Sequence, residues 1–303
     1  MNSTVIRCDK LTKYYGKSRG IEDLTFEVRP GQVYGFLGPN GAGKTTTIRC
    51  LLSMLRPTSG RAFLFDAEVG VDGRELRRRI GYVPGDVKLF EKQTGRWTLD
   101  YIAGLRGGPG PAEAEICERL EFDPTRRVKE LSKGNKQKLA LVIALMHEPE
   151  LLMLDEPTSG LDPLNQQVVF DILEERVAKG ATVFLSSHIL PEVERVCDRV
   201  AVIRDGRVVA EESVDELLSK AIRTVHVTYA EPVPDAFVDG LRGVTSLERL
   251  GDTGLRATVT EDIGNTLLGI LARPVADITV EHASLEEVFL QYYGHGEREG
   301  GAS

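Results

Sequence analysis

"GPNGAGKTT" (Gly38–Thr46) fits G-x-x-x-x-G-K-[ST] at every fixed position. The spacing has a physical cause. Gly38, Gly41 and Gly43 let the backbone curl until successive N–H groups point inward at phosphate oxygens. Lys44 places a point charge between the last two phosphates. Thr45 offers a hydroxyl to Mg2+, and the helix that begins here adds its dipole. Pro39, Asn40 and Ala42 inside the loop, and Thr46 after it, complete the candidate nucleotide contacts. The strand pattern "VYGFL" precedes and the helical run "TTTIRCLLSML" follows. A chance glycine-rich turn would have neither flank.

Outward from this loop, "QVYGFLG", "ELLMLDE" and "ATVFLSS" read as buried strands. Apolar-periodic helices start at Gly43, Pro163 and Leu190. Strand, loop, helix in repeated order implies an α/β fold with a parallel sheet and helices on its faces. Ahead of Gln32, "TVIRCDKL" and "DLTFEV" read as an antiparallel flank. Between Gly85 and Glu148 the pattern is mostly helical: "GRWTLDYIAGLRG", "AEAEICERL" and the run after Ser132. Past a boundary near Ser219 to Arg223, "TVHVTY", "LRATVT" and "ADITVEH" read as strands, with a helix at Asn265 to Ala272. This is a second, small α/β unit, closed by a capping box of Ser284 and Glu287. The domains expected are 1–220, with a helical part over about 86–148, and 221–294, followed by a disordered tail, 295–303.

The 303 residues suffice for one large domain and a smaller one. A net charge of −8 argues against nucleic acid as a partner. The four cysteines, Cys8, Cys50, Cys117 and Cys197, have no metal-ligand spacing and read as reduced, mostly buried thiols. Met1 to Asp9 lacks the pattern of a signal peptide. The longest apolar run, Leu139 to Met146, is less than half of the ~20 residues needed to cross a bilayer. A soluble chain is expected, with any membrane part supplied by another protein.

"LLMLDEP" sets Asp155 and Glu156 at the end of an apolar strand. Two carboxylates there need a cation, a donor network or water. Asp155 is read as the Mg2+ partner through water, and Glu156 as the base for an attacking water. A second anion-binding layout lies at "LSKGN": Ser132, Gly134 and Asn135 stand ahead of an apolar helix pattern, where the dipole is positive.

With these parts in place, Val5 to Leu218 resembles the ATP-binding subunit of an ABC transporter. The fold implied is a P-loop ABC ATPase cassette, a mixed sheet with an antiparallel flank and a helical subdomain. "LSKGN" resembles the family signature LSGGQ, with Lys133 and Asn135 in place of a glycine and the glutamine. In the family that loop closes on the γ-phosphate held by a partner subunit, which explains why one chain carries two anion sites. Lys133 either adds charge near the phosphate or points into solvent. "SGLDP" resembles the D-loop, with Asp162 also suited to cap a helix. His188, at the end of "ATVFLSS", resembles the switch histidine that bonds the γ-phosphate. Tyr15, with Tyr14 as runner-up, resembles the aromatic residue that stacks on adenine.

The chain departs from the family at Gly85, where a glutamine is usual; Asp86 is the nearest polar group and a further candidate at the metal. Trp97 lies in the region that faces the membrane subunit in the family, or else in the core. The Arg74, Arg77, Arg78 and Arg79 cluster reads as a solvated face or a contact with acidic lipid. The resemblance implies ATP and Mg2+ as cofactors and Lys44, Glu156 and His188 as catalytic residues. It implies a second cassette and a separately encoded permease as partners, at the cytoplasmic face of the cell membrane. The C-terminal unit and the "SKGN" signature resemble drug and antibiotic exporters. The alternatives are a non-transport ABC ATPase of translation or repair, or a regulatory cassette with weakened hydrolysis.

Overall fold

The computed structural model describes residues 4–70, 73–219, 223–259 and 263–282. The chain folds into two compact units, Met1–Glu212 and Ser213–Ser303. The division falls ahead of a short helix, Val214–Ser219, where the sequence pattern sets it just after. A short acidic helix carries no break in composition to mark it. The capping box at Ser284 and Glu287 and the tail lie outside the described residues.

In the first unit β1 (Ile6–Tyr15) and β2 (Ser18–Val28) form an antiparallel hairpin, with Ile6 opposite Val28 and Tyr15 opposite Ser18. Gly16, at φ +61°, supplies the left-handed turn between them. After β3 (Val33–Leu37) and α1 (Lys44–Leu51), β4 (Ser59–Leu64) returns to pair with β1, and β5 (Ala67–Glu68) completes a sheet of order β2-β1-β4-β5. Next come α2 (Gly73–Arg78) and β6 (Ile80–Val83), then the helical stretch α3 (Gly95–Arg106), α4 (Glu113–Arg119) and α5 (Lys133–Leu145). The chain then alternates β7 (Leu151–Asp155), α6 (Pro163–Ala178), β8 (Thr182–Ser187), α7 (Leu190–Val196), β9 (Arg199–Arg204) and β10 (Arg207–Ser213). These strands build a second sheet of order β10-β9-β3-β8-β7-β6.

Within that sheet β6, β7, β8, β3 and β9 run parallel. All residues of β3, β7 and β8 are buried, as expected of parallel strands covered on both faces. The two sheets meet through aromatic rings. Phe26 of β2 lies 5.5–6.0 Å from Tyr34, Phe36 and Phe184. These rings, with Ile48 and Leu51 of α1, belong to one buried cluster. Register then fixes the site: Leu37 pairs with Ser187, and Asp155 with Ser186, so β3, β7 and β8 end at one edge.

The helix starts are written in side chains. Thr94, Ser132 and Asp162 each accept a bond from the backbone N–H three residues on, at the first turns of α3, α5 and α6. Pro163 follows Asp162 at the first helical position.

The second unit opens with α8 (Val214–Ser219) and runs β11 (Arg223–Tyr229), α9 (Asp235–Val238), β12 (Val244–Leu250), β13 (Gly254–Val259), α10 (Ile263–Ile270) and β14 (Val275–His282). Its sheet order is β12-β13-β11-β14, with every neighbouring pair antiparallel. This is the split βαβ arrangement. Val225, Val227, Tyr229, Leu255, Ala257, Val259 and Ile270 form its own buried core.

Candidate functional site

The loop after β3 shows why its glycines are there. A Cβ on Gly38 would lie 2.4 Å from the Ile203 carbonyl oxygen. Gly43 has φ +112°, and a Cβ there would meet Ile21 at 2.6 Å and the Gly20 carbonyl at 2.8 Å. Only glycine lets the loop pass this close to β9 and β2. Lys44 is 5% exposed. Its Nζ donates to the carbonyls of Gly38 (2.6 Å) and Pro39 (3.1 Å) and lies 3.7 Å from Glu156 Oε1. Burial lowers its pKa, against the opposing pull of Glu156 and Asp155.

Asp155, 1% exposed, ends β7 directly across from this loop. Its Oδ2 accepts from the Thr45 hydroxyl at 2.7 Å, and its Oδ1 accepts from the Ser186 hydroxyl. Two hydroxyl donors account for a buried carboxylate that forms no ion pair with a basic side chain among the described residues. Glu156 follows in the left-handed region at φ +52°. Its Oε1 lies 2.9 Å from His188 Nδ1, and its N–H bonds the Ser186 carbonyl. Thus Lys44, Thr45, Asp155, Glu156 and His188, far apart in sequence, meet beyond the carboxyl ends of three parallel strands. Ligands of open α/β sheets lie at that edge.

The other candidates fall around this group. Tyr15 is 47% exposed, and its hydroxyl is 3.4 Å from Thr46 Oγ1, so the ring stands beside the end of the phosphate loop. Tyr14 instead hydrogen-bonds Glu22, which raises its pKa. Asp162 caps α6 through Asn165, whose N–H and side-chain amide hold its carboxyl below the usual range. Ser132 accepts from the Asn135 N–H at 3.2 Å. Gly134 packs so closely that a Cβ would lie 2.7 Å from the Gly160 carbonyl oxygen. Among the described residues Ser132, Gly134 and Asn135 share no hydrogen bond with Gly38–Thr46 of the same chain.

Lys133 is exposed, in keeping with its solvent-facing reading, and its Nζ donates to Ser159 Oγ at 3.0 Å with its stem over Gly160. Two readings are revised. Asp86 is turned to Lys88 at 3.3 Å, both side chains exposed, rather than to Thr45 or Asp155. It is Gly85 that lies against the acidic pair, since a Cβ there would be 3.1 Å from Asp155 Oδ2. Trp97 is not core; it is 39% exposed, stacked on Tyr101 at 5.1 Å with Phe90 edge-on at 5.4 Å.

Sequence reasoning missed Ser186, Gln137 and Glu192. Ser186 had a signal, a polar residue at the end of an apolar strand. Gln137 is 3% exposed and donates to the Pro157 carbonyl at 2.7 Å; nothing in its helix pattern marks it.

Residues 21–159 match the family model described as ABC transporter. The chain is 36% identical to the Nod factor export ATP-binding protein I of Paraburkholderia xenovorans, over 97% of this chain and 98% of that one. The chain belongs to the ABC transporter family. The cassette is also 39% identical to a bacitracin transport ATP-binding protein of Bacillus licheniformis, over 71% of this chain and 72% of that one. A solved ATP-binding subunit of an ABC transporter superposes with TM-score 0.65 at 33% identity, covering 71% and 92% of the two chains. The protein is thus an ATP-binding subunit of ABC transporter type, an ATP hydrolase that binds nucleotide. No helix among the described residues is long and apolar enough to cross a membrane.

Proposed function

We infer that the protein powers export of a small molecule through a separately encoded permease, lying peripherally at the cytoplasmic face of the cell membrane. The observation that carries the catalytic part is the meeting of Lys44, Thr45, Asp155, Glu156 and His188 at one sheet edge. In this reading the backbone of Gly38–Thr46 and Lys44 bind the phosphates, and Tyr15 receives the adenine. Glu156 takes the proton of the attacking water, and His188, already 2.9 Å from it, orients that water toward the γ-phosphate. Ser132, Gly134 and Asn135 act on the nucleotide of the second cassette, and Asp162 lies at the same junction. The Thr45 hydroxyl and Asp155 carboxylate, 2.7 Å apart, are hard oxygen donors and fit Mg2+. Bound there, the ion would supply positive charge to the phosphate oxygens. Positioning and electrostatics dominate such phosphoryl transfer.

Export as the direction is supported by the Paraburkholderia relative, a Nod factor export protein matched through the second unit as well. The exposed rings of Phe90, Trp97 and Tyr101 supply an aromatic face for the permease. Membranes from cells making a tagged form should yield a multi-span permease on purification. Recovery of ribosomes or DNA instead would shift the reading to a non-transport ATPase.

A further inference from the structure

Glu192 is a buried acid that the mechanism above does not use. It sits in the first turn of α7, four residues after His188, and is 6% exposed. Among the described residues it has no basic partner. Its two oxygens are instead taken by two hydroxyls: Thr158 Oγ1 donates to Oε1 at 2.6 Å, and Ser187 Oγ donates to Oε2 at 2.9 Å. An acid at this helix position commonly reaches back to cap a backbone N–H. Here that role is filled, because the Ile189 N–H is taken by Ser187 Oγ at 3.0 Å. The carboxylate is therefore committed to side chains, and to side chains of two particular loops. Thr158 is two residues past Glu156; Ser187 is directly before His188.

The loop that carries Glu156 needs holding. A glutamate at φ +52° occupies a region that non-glycine residues adopt at a cost, and such a conformation persists only when its surroundings determine it. One tether comes from α5, through Gln137 to the Pro157 carbonyl. Another comes from α7, through Glu192 to Thr158, and the same carboxylate also grips Ser187, the residue before His188. The Glu156–His188 contact itself is 26% and 41% exposed at its two side chains, too open to be rigid alone. We propose that Glu192 is a positioning residue for ATP hydrolysis: its carboxylate bridges Thr158 to Ser187 and so sets the spacing of Glu156 and His188.

This rests on the reading of Glu156 and His188 given above, and the test separates the two. Steady-state hydrolysis and binding of a fluorescent ATP analogue are measured for the full chain and for Thr158→Val, Thr158→Ser, Glu192→Gln and the Thr158→Val/Glu192→Gln double variant. Valine matches threonine in shape and removes only the donor. The amide introduced by Glu192→Gln leaves one hydroxyl without its acceptor. A misplacement of about 1 Å can cost on the order of 100-fold in rate. The expected result is a kcat lower by roughly 10- to 100-fold in Thr158→Val and Glu192→Gln, with KM and analogue affinity within about threefold because the phosphate loop is untouched. Thr158→Ser should keep near wild-type kcat, and the double variant should be no worse than the weaker single. Unchanged kcat in Thr158→Val, additive losses, or a fall in kcat matched by lost nucleotide affinity would each overturn the proposal. Glu156→Gln, run alongside, tests the underlying reading: if it keeps full turnover, that reading fails, whatever the Glu192 variants do.

Discussion

At the residue scale the acidic pair shows how two neighbours acquire different duties. Asp155 is buried between two hydroxyls, while Glu156 is turned out by its left-handed backbone toward His188 and Lys44. Replacing Glu156 by Gln keeps the shape and removes the proposed base. Turnover should fall by about 10²–10⁴-fold with ATP still bound, as single-turnover assay and equilibrium binding would show. Undiminished turnover would remove the role from Glu156. The pair was legible in the sequence because carboxylates ending an apolar strand demand partners. The partners themselves were less legible: Ser186 comes from the next strand, and its bond depends on register. The contact of Lys133 with Ser159 and Gly160 was not legible, because no local pattern shows that this later loop passes beneath it.

At the scale of single elements, α5 depends on its cap. Ser132 accepts the Asn135 N–H, so Ser132→Ala should cost about 1 kcal/mol of stability, read from urea unfolding. A shift within error would mean that water replaces the cap. The far end of α5 gives a pH prediction. His147 Nε2 contacts the Ile80 carbonyl at 3.2 Å, and burial, with Arg106 nearby, pushes its pKa down to about 4. It is neutral in the folded chain. Below about pH 6.5 the unfolded chain binds a proton that the folded one refuses, so stability should fall as pH drops from about 6.5 to about 4. His147→Gln retains a donor for Ile80 and does not titrate; its stability should vary less across that window than wild type's. Equal slopes would assign the acid sensitivity elsewhere. The long elements were legible from period and caps: β3, β7 and β8 as apolar runs, α6 from Asp162–Pro163. The strands β6, β9, β10 and β12 were not. β6 has only four residues, and the face of β12 alternates weakly, so each is defined by the neighbour it pairs with rather than by its own pattern.

At the scale of the whole molecule, the two proposed anion sites of the chain face different ways. Gly38–Thr46 faces Asp155 and Glu156, whereas Ser132, Gly134 and Asn135 meet their own helix start and the loop at Gly160 and, among the described residues, share no hydrogen bond with Gly38–Thr46. A helix N-terminus whose dipole and hydroxyl meet no anion in its own chain gains most from one brought by a second copy. Hydrolysis would destroy that bridging ligand, so the pair should persist only when turnover is blocked. Light scattering should therefore give Glu156→Gln a mass about twice 33.4 kDa with ATP and Mg2+, and a single chain's mass with ADP. Adding Ser132→Arg should return the ATP sample to the single mass, because the bulky side chain fills the approach to the γ-phosphate while leaving the chain's own phosphate loop intact. A doubled mass that survives Ser132→Arg would place the contact elsewhere. A single mass in every case would mean that this cassette pairs with a different one, and adding candidate cassettes to the Glu156→Gln protein with ATP would then find it.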